Sequence, residues 1–261
     1  MVKKILITND DGLYSAGLKA SYEALQDLGE IFVVTPITQK SGVGRSMSIM
    51  EPIRVYNANV NGFEVFAVDG TPTDAVIIGI HEIIGDIPDI TVSGINLGEN
   101  LSTEAVTTSG TVCAALEAAT QGSNAIAISI ELPDKDKFEL FFKPYDFSFA
   151  KQVLRSLCKV VLKKGLPTGV DVLNVNVPSK PKGEIAVTRL AKKMYRTRIE
   201  KRYDPRGRKY YWITGIEAKE AEEGTDMHAL KNGKVSITPL TIDLTAKVDF
   251  DKLLQWLEVN L

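Results

Sequence analysis

The first 180 residues alternate short apolar segments with longer amphipathic ones, and this pattern restricts the fold more than any other feature of the chain. Such alternation is typical of a parallel β-sheet flanked by helices, because each parallel strand needs a long crossover connection. The predicted strands cover residues 5–8, 31–35, 65–68, 90–93, 125–129 and 172–177. We therefore expect an α/β fold with a mostly parallel sheet.

Capping residues mark the helices between these strands. Ser15 can cap a first helix that ends before Gly29. The string Thr71-Pro72-Thr73-Asp74 combines an N-cap residue, a proline at the first helical position and an acid three residues after the cap. Further helices are predicted over residues 112–119 and 148–164, the second of which should bury Phe149, Val153, Leu157 and Val160.

After residue 180 the alternation stops and basic and aromatic residues become frequent. The segment from Arg189 to Lys209 contains ten lysines and arginines and two acids, a local charge of +8 in a chain whose net charge is −2. Residues 210–213 and 235–238 are predicted strands that form a hairpin or arm, and residues 250–257 a closing helix. We expect a core over residues 1–180, an arm over 181–245 and a C-terminal helix within 246–261.

Composition excludes several classes of protein and site. The two histidines, His81 and His228, are too few for a histidine-rich zinc site. Cys113 and Cys158 lie in apolar, helix-like contexts and are predicted to be buried free thiols. No apolar run approaches the roughly 20 residues that span a bilayer, and the apolar start becomes polar at Asn9, too early for a secretion signal. The expected location is the cytoplasm, without a membrane partner.

Polar residues follow the predicted strands, at the sheet edge where open parallel sheets bind ligands. Asn9-Asp10-Asp11-Gly12 comes directly after the first strand. Adjacent carboxylates repel each other unless a cation neutralises them, and a hard divalent ion such as Mg²⁺ prefers oxygen ligands. A solvated Asp-Asp-Gly turn is the alternative interpretation of this string alone.

Three further loops favour a site over a turn. The loop after the second strand contains Ser41 and Gly42, and the loop after the fourth contains Asn96 and Asn100. Ser109-Gly110-Thr111 then leads into a helix, where backbone N–H groups and hydroxyls can bind a phosphate. Four such loops on one edge predict a combined metal and phosphate site.

Two other families share parts of these motifs and are excluded. Residues 5–12 resemble the opening of a haloacid-dehalogenase-type phosphatase, but Asn9 takes the place of the nucleophilic carboxylate and an amide cannot replace it. Gly42-Val43-Gly44-Arg45-Ser46-Met47 begins like a dinucleotide-binding motif, yet Met47 occupies the third glycine position and the loop follows the second strand. The sequence has no P-loop motif.

The chain as a whole resembles the SurE family of metal-dependent nucleotidases and phosphatases. The matching strings span nearly the whole chain: Thr8-Asn9-Asp10-Asp11-Gly12, Ser41-Gly42, Gly70-Thr71-Pro72-Thr73-Asp74, Val92-Ser93-Gly94-Ile95-Asn96, Ser109-Gly110-Thr111-Val112, Leu173-Asn174-Val175-Asn176-Val177-Pro178 and Ser236-Ile237-Thr238-Pro239-Leu240. The resemblance implies that Asp10, Asp11, Ser41 and Asn96 bind one divalent ion, Mg²⁺ or Mn²⁺. It also implies a Rossmann-like three-layer sandwich and a homodimer or homotetramer formed by exchange of the C-terminal arm.

The expected reaction is hydrolysis of nucleoside 5'-monophosphates, with other phosphate esters or polyphosphate as further substrates. Asp10 or Asp11 would position the attacking water, or one of them would attack directly, and the sequence leaves both mechanisms open. Asn9 and Asn100 would orient water or substrate by hydrogen bonds. The other phosphate oxygens would be held by Gly42, Ser109, Gly110 and Thr111.

Two alternatives stay open at this point. The same glycine-rich loops suit a nucleotide-binding regulatory module without catalysis. The basic segment interleaves Tyr195 and Tyr203 with lysines and arginines, which also occurs in nucleic-acid-binding surfaces, although an oligomerisation arm explains it better. Residues 132–145 match no string of the family, so no role is predicted for them.

Overall fold

A nine-stranded, mostly parallel sheet forms the centre of the molecule in the computed structural model, which describes residues 2–132, 145–217 and 221–258. The strand order is β3-β4-β2-β1-β5-β6-β7-β11-β8. The strands are β1 (Lys4–Thr8), β2 (Glu30–Pro36), β3 (Val55–Val60), β4 (Phe63–Val68), β5 (Ile90–Leu97), β6 (Ala125–Ile130), β7 (Val172–Val177), β8 (Ile185–Val187) and β11 (Val235–Leu240). Two further strands, β9 (Tyr195–Tyr203) and β10 (Lys209–Glu217), form a separate hairpin.

Helices cover both faces of this sheet. They are α1 (Ala16–Leu25), α2 (Pro72–Ile78), α3 (Ser102–Thr108), α4 (Gly110–Thr120), α5 (Ser148–Lys164) and α6 (Asp226–Lys231), with a π-helix at Gly79–Ile84. A last helix, α7 (Phe250–Leu257), has no buried residue. Side chains of β1 alternate between two apolar clusters: Ile5 and Ile7 pack with α1 and α5, whereas Leu6 packs with α2 and α4. The result is the predicted α/β sandwich of three layers.

Most predicted elements are confirmed. Each of the six predicted strands lies within an observed strand, and residues 172–177 and 148–164 match their elements at both ends. Ser15 caps α1, and Thr71 forms a capping box with Asp74. Helix α1 ends at Leu25, before the expected boundary, and Val160 is half-exposed rather than buried. Both cysteines are buried free thiols, as predicted.

The predicted pairing of residues 210–213 with 235–238 is wrong. β10 pairs with β9 across the turn at Asp204–Gly207, and β11 instead joins the central sheet, antiparallel to β7 and parallel to β8. The reason is burial, because β11 is almost entirely enclosed whereas residues 209–216 of β10 are exposed. Only 195–217 of the predicted arm therefore forms the hairpin, and the division into core, arm and C-terminal helix stays a prediction.

No helix in the described part of the chain is long and apolar enough to cross a lipid bilayer. The unassigned segment 132–145 lies, apart from its two end residues, outside the described residues.

Candidate active site

The carboxyl ends of the central strands surround a cavity of about 270 Å³. β1 leads into Asp10, the loop after β2 contributes Ser41, and β5 ends next to Asn96. The cavity is lined by Asp10, Ser41, Gly42, Asn96, Leu97, Gly98, Glu99, Asn100, Ala105, Thr108 and Ser109. Six of the predicted site residues therefore meet at one place, although they are separated by up to about a hundred residues in sequence.

Asp10 lies at the base of the cavity and is only 4% exposed. The Thr111 hydroxyl donates a hydrogen bond to Asp10 Oδ1, and the Lys40 N–H donates to the Asp10 carbonyl oxygen at 2.7 Å. Burial raises the pKa of the Asp10 carboxyl above its usual range, although the Thr111 hydrogen bond opposes this effect. The Asp10 carboxylate is thus held in one orientation before any ligand binds.

Asp11 lies beside Asp10, and its Oδ2 accepts a hydrogen bond of 3.4 Å from the Leu97 N–H. Burial and, to a smaller extent, repulsion from Asp10 raise the pKa of Asp11 to about 7. Among the described residues, no lysine, arginine or histidine contributes to the pKa of either carboxyl. A buried and a partly buried carboxylate side by side, without a cationic side chain, make an electrostatic site that a positive ion would stabilise.

The donor set suits a hard cation. The described residues contain no group of three histidines, cysteines or carboxylates around one point, so the remaining oxygens must come from neutral side chains. Ser41 presents a hydroxyl, which accepts a hydrogen bond of 3.0 Å from the Gln39 amide. The Asn96 amide nitrogen donates to the Gly98 carbonyl at 2.7 Å, which leaves the Asn96 carbonyl oxygen as the atom able to bind a cation. Carboxylate, hydroxyl and amide oxygens are the ligands that Mg²⁺ and Mn²⁺ accept.

The N-terminus of α4 adjoins the Asp10 carboxylate. Ser109 lines the cavity and also caps α4, accepting a hydrogen bond of 3.1 Å from the Val112 N–H. Gly110 is packed so closely that a Cβ there would lie 2.7 Å from the Asp10 Cβ. Thr111 is fully buried, and its hydroxyl is directed at Asp10 rather than into the cavity. The N–H groups of Gly110 and Thr111 bond the Asp10 carboxylate, so this end of the helix offers a phosphate the Ser109 hydroxyl and the positive end of the helix dipole.

The two asparagines predicted to orient water or substrate differ in position. Asn9 is fully buried, and its side-chain oxygen accepts hydrogen bonds from the Thr35 hydroxyl and from the Gly12 N–H, the latter at 3.2 Å. Its amide also donates to the Gly12 carbonyl at 3.2 Å, so the side chain closes the turn that presents Asp10 and Asp11.

Asn100, in contrast, lines the cavity and is held by a layer of polar residues behind it. Its amide donates to Ser129 Oγ at 2.9 Å, and its N–H donates to Asn176 Oδ1 at 2.8 Å. Its carbonyl accepts from the amides of Asn174 and Asn176, at 2.9 and 3.1 Å. Sequence reasoning assigned these supporting residues no role, although Asn174 and Asn176 stand out as amides within an apolar strand.

Comparisons with known proteins agree with this geometry. Residues 5–197 match the family model described as survival protein SurE. The chain is 70% identical to the 5'-nucleotidase SurE of Archaeoglobus fulgidus over 255 residues, 98% of this chain and 97% of that protein. It is 51% identical to the 5'-nucleotidase SurE of Methanothrix thermoacetophila, with 99% and 100% covered. The crystal structure of the SurE protein from Aquifex aeolicus matches with a TM-score of 0.79 at 38% identity, over 98% of this chain and 100% of that one.

Proposed function

The chain belongs to the SurE family, and we propose that it is a divalent-metal-dependent 5'-nucleotidase that releases phosphate from nucleoside 5'-monophosphates. The observation that carries the metal dependence is the adjacent pair of buried Asp10 and partly buried Asp11, whose pKa values are both raised and which no cationic side chain of the described residues relieves. The nucleotidase class rests on full-length similarity to proteins named 5'-nucleotidase SurE.

Asp10, Asp11, Ser41 and Asn96 are the residues that would hold the ion. When bound, one Mg²⁺ or Mn²⁺ ion would supply Lewis-acid polarisation of a phosphate oxygen and a lowered pKa for a bound water. The chain itself orients Asp10 through Thr111 and orients the Asp10–Asp11 turn through Asn9. These contacts are in place before the substrate binds, and preorganised groups of this kind are the source of most electrostatic catalysis in enzymes.

The phosphate group would bind between the N-terminus of α4 and the loop that contains Gly42. Ser109 would donate a hydrogen bond to one of its oxygens, and Gly42 leaves the opposite side open to the anion. The N–H groups of Gly110 and Thr111 already bond the Asp10 carboxylate, so they would act on the phosphate through the positive end of the helix dipole. Asn100 then orients water or substrate from the cavity wall. We assign the positioning of the attacking water to the Asp10–Asp11 pair.

We also propose that the hairpin is exchanged between protomers of a homodimer or homotetramer. In β9 and β10 the aromatic residues Tyr203, Tyr211 and Trp212 and the apolar Ile213 are more than half exposed, beside a row of lysines and arginines. Exposed ion pairs contribute only about 0 to 1 kcal/mol each, so these apolar side chains would supply most of the binding energy.

Phosphate release from AMP and GMP, measured with Mg²⁺ or Mn²⁺ and then with excess chelator, tests the proposal. We expect turnover that chelation abolishes. Asp10→Asn should lower kcat by at least about a hundredfold, since it removes both charge and a metal ligand. Sugar phosphates and polyphosphate in the same assay define the substrate range. Nucleotide binding without phosphate release would instead support the regulatory-module alternative.

A further inference from the structure

The loop between β2 and β3 carries Ser41 and Gly42 to the edge of the cavity. One end of this segment is fixed where the Lys40 N–H donates to the Asp10 carbonyl at 2.7 Å. The other end is fixed at Gly44, whose N–H donates to the Thr108 carbonyl at 2.9 Å and whose φ of +57° requires glycine-like freedom. Ser41 and Gly42 themselves are exposed, so their position depends on the residues that hold the loop.

Arg45, the next residue, connects this loop to helix α4. Its Nε and Nη2 atoms donate to Glu117 Oε2 at 2.9 and 2.6 Å, and Nη2 also donates to Thr120 Oγ1 at 2.8 Å. Glu117 lies in the same helix that begins beside Asp10 and is only 2% exposed. Its second oxygen accepts from the Gln121 amide at 2.7 Å.

The contact is enclosed at one end, because Glu117 is buried whereas the Arg45 side chain is 41% exposed. A buried carboxylate is destabilising without a partner, so Glu117 holds the Arg45 guanidinium, and with it the end of the loop, in one position. The same helix begins at Gly110, against Asp10. The Arg45–Glu117 pair therefore links the loop that carries Ser41 and Gly42 to the C-terminal half of α4, the helix whose N-terminus adjoins the cavity.

The far half of the loop has its own attachment. The Ser48 N–H and hydroxyl donate to the two oxygens of Asp74 at 2.9 and 2.7 Å, and the Thr71 hydroxyl donates to the Ser46 carbonyl at 2.8 Å. These contacts hold residues 46–48 on α2. Loss of the Arg45 contact would thus leave the Ser41–Gly42 half of the loop held only by the Lys40–Asp10 and Gly44–Thr108 backbone hydrogen bonds, while residues 46–48 keep their contacts with α2.

We propose that Arg45 and Glu117 are positioning residues that fix the Ser41–Gly42 segment over Asp10 and thereby set the affinity for the divalent ion and for the substrate phosphate. This inference rests on the proposed metal-dependent function. Neither side chain touches the substrate or the ion in this assignment. They act by positioning the hydroxyl of Ser41 and the backbone of Gly42.

The test compares Arg45→Met, Glu117→Gln and the double variant with the wild-type protein. Arg45→Met keeps the apolar stem of a half-exposed side chain, and Glu117→Gln keeps the size and the Gln121 contact, so both should fold. Mn²⁺ affinity is measured by calorimetric titration without substrate, and KM and kcat for AMP at saturating Mn²⁺. We expect each single variant to raise the Mn²⁺ Kd about tenfold, as loss of partners that orient metal ligands does, and to raise KM with kcat nearly unchanged.

Three further comparisons sharpen the result. The double variant should be no worse than either single one, because the two residues act as one unit. Arg45→Lys, which keeps the charge, should recover part of the affinity. Arg155→Met, which breaks the arginine pair with Asp27 between α5 and α1, should leave the Mn²⁺ Kd and KM unchanged.

Unchanged Mn²⁺ Kd and KM in folded Arg45→Met and Glu117→Gln, with only a lower melting temperature, would overturn the inference and leave the pair a purely structural contact. A wild-type protein that neither binds Mn²⁺ nor hydrolyses AMP would overturn the proposed function as well. The two failures are therefore distinguishable, because only the second appears in the wild-type protein.

Discussion

Gly110 lies against the carboxylate of Asp10 at the first position of α4. A Cβ at this position would approach the Asp10 Cβ to 2.7 Å and Oδ2 to 2.8 Å, closer than real contacts allow. We expect Gly110→Ala to displace the carboxylate and to lower kcat for AMP by roughly 10- to 100-fold, because a small misplacement of a reacting group is that costly. Steady-state kinetics and Mn²⁺ titration measure the effect.

The fold should tolerate this change, because alanine is a better helix former than glycine. Gly169→Ala is the matched control: Gly169 has a φ of +83°, and a Cβ added there would have no neighbour within 4 Å, so the change introduces backbone strain but no clash. The control should lose some stability and no activity. Normal kinetics in Gly110→Ala would show that Asp10 has room to move.

The sequence predicts which side chains lie at the site more accurately than it predicts the role of each one. Polar residues that follow strands predict Asp10, Ser41 and Asn96, and all three line one cavity. Asn9 also follows a strand directly, yet its side-chain amide is hydrogen-bonded to the Gly12 backbone and to Thr35. An asparagine shortly before a glycine is equally suited to close a turn, so sequence alone does not separate the two roles.

The hairpin β9–β10 forms a sheet of its own with most of its side chains exposed. If it is exchanged between protomers, replacing residues 196–216 by a short glycine-rich turn should yield a smaller species in light scattering. The deletion removes both strands, because removal of β9 alone would leave β10 without its partner. Its apolar and aromatic side chains would no longer bury surface on a second protomer.

The comparison variant is Trp212→Ser with Ile213→Ser, which keeps the hairpin and its charge but removes two exposed apolar side chains. We expect it to weaken association as well, at concentrations where the wild-type protein is fully oligomeric. An unchanged oligomer after deletion, accompanied by loss of salt-sensitive RNA binding, would favour the nucleic-acid alternative for this basic segment.

Elements with a strong burial pattern are the ones that sequence can predict. α5 has one apolar face and ends at Lys164, directly before Gly165, and the sequence predicts both of its ends. The sequence does not predict β3, because its residues, Val-Tyr-Asn-Ala-Asn-Val, form a largely exposed edge strand without an apolar face. The short helices α3 and α6 are stabilised by distant contacts, such as Asp226, which accepts from the Ser102 N–H at 2.7 Å. Contacts across 124 positions leave no local pattern to find.

For the whole molecule, the raised pKa values of Asp10 and Asp11 predict how the stability of the metal-free protein depends on pH. Folding raises the pKa of Asp11 from 3.8 to about 7, and it raises the pKa of Asp10 in the same direction. The folded state therefore binds more protons than the unfolded chain between these values. This stabilising contribution is complete below about pH 4 and is lost as the pH rises through about 7.

In excess chelator, the melting temperature of the wild-type protein should therefore fall between about pH 5 and about pH 8, by roughly 5 °C for a chain of this size. Asp11→Asn should flatten this part of the curve, because an amide does not titrate and relieves the repulsion from Asp10. The pKa shift of Asp27 has the opposite sign, because its hydrogen bond with Arg155 lowers its pKa to about 2. Asp27→Asn should therefore change the pH dependence of the melting temperature only in more acidic solution.

Mn²⁺ should restore the wild-type melting temperature at pH 8, since a ligand that binds only the folded state stabilises it by about 2.7 kcal/mol at a hundred times its Kd. A flat wild-type curve in chelator, measured by calorimetry, would contradict the assignment of the Asp10–Asp11 pair as a site that requires a cation.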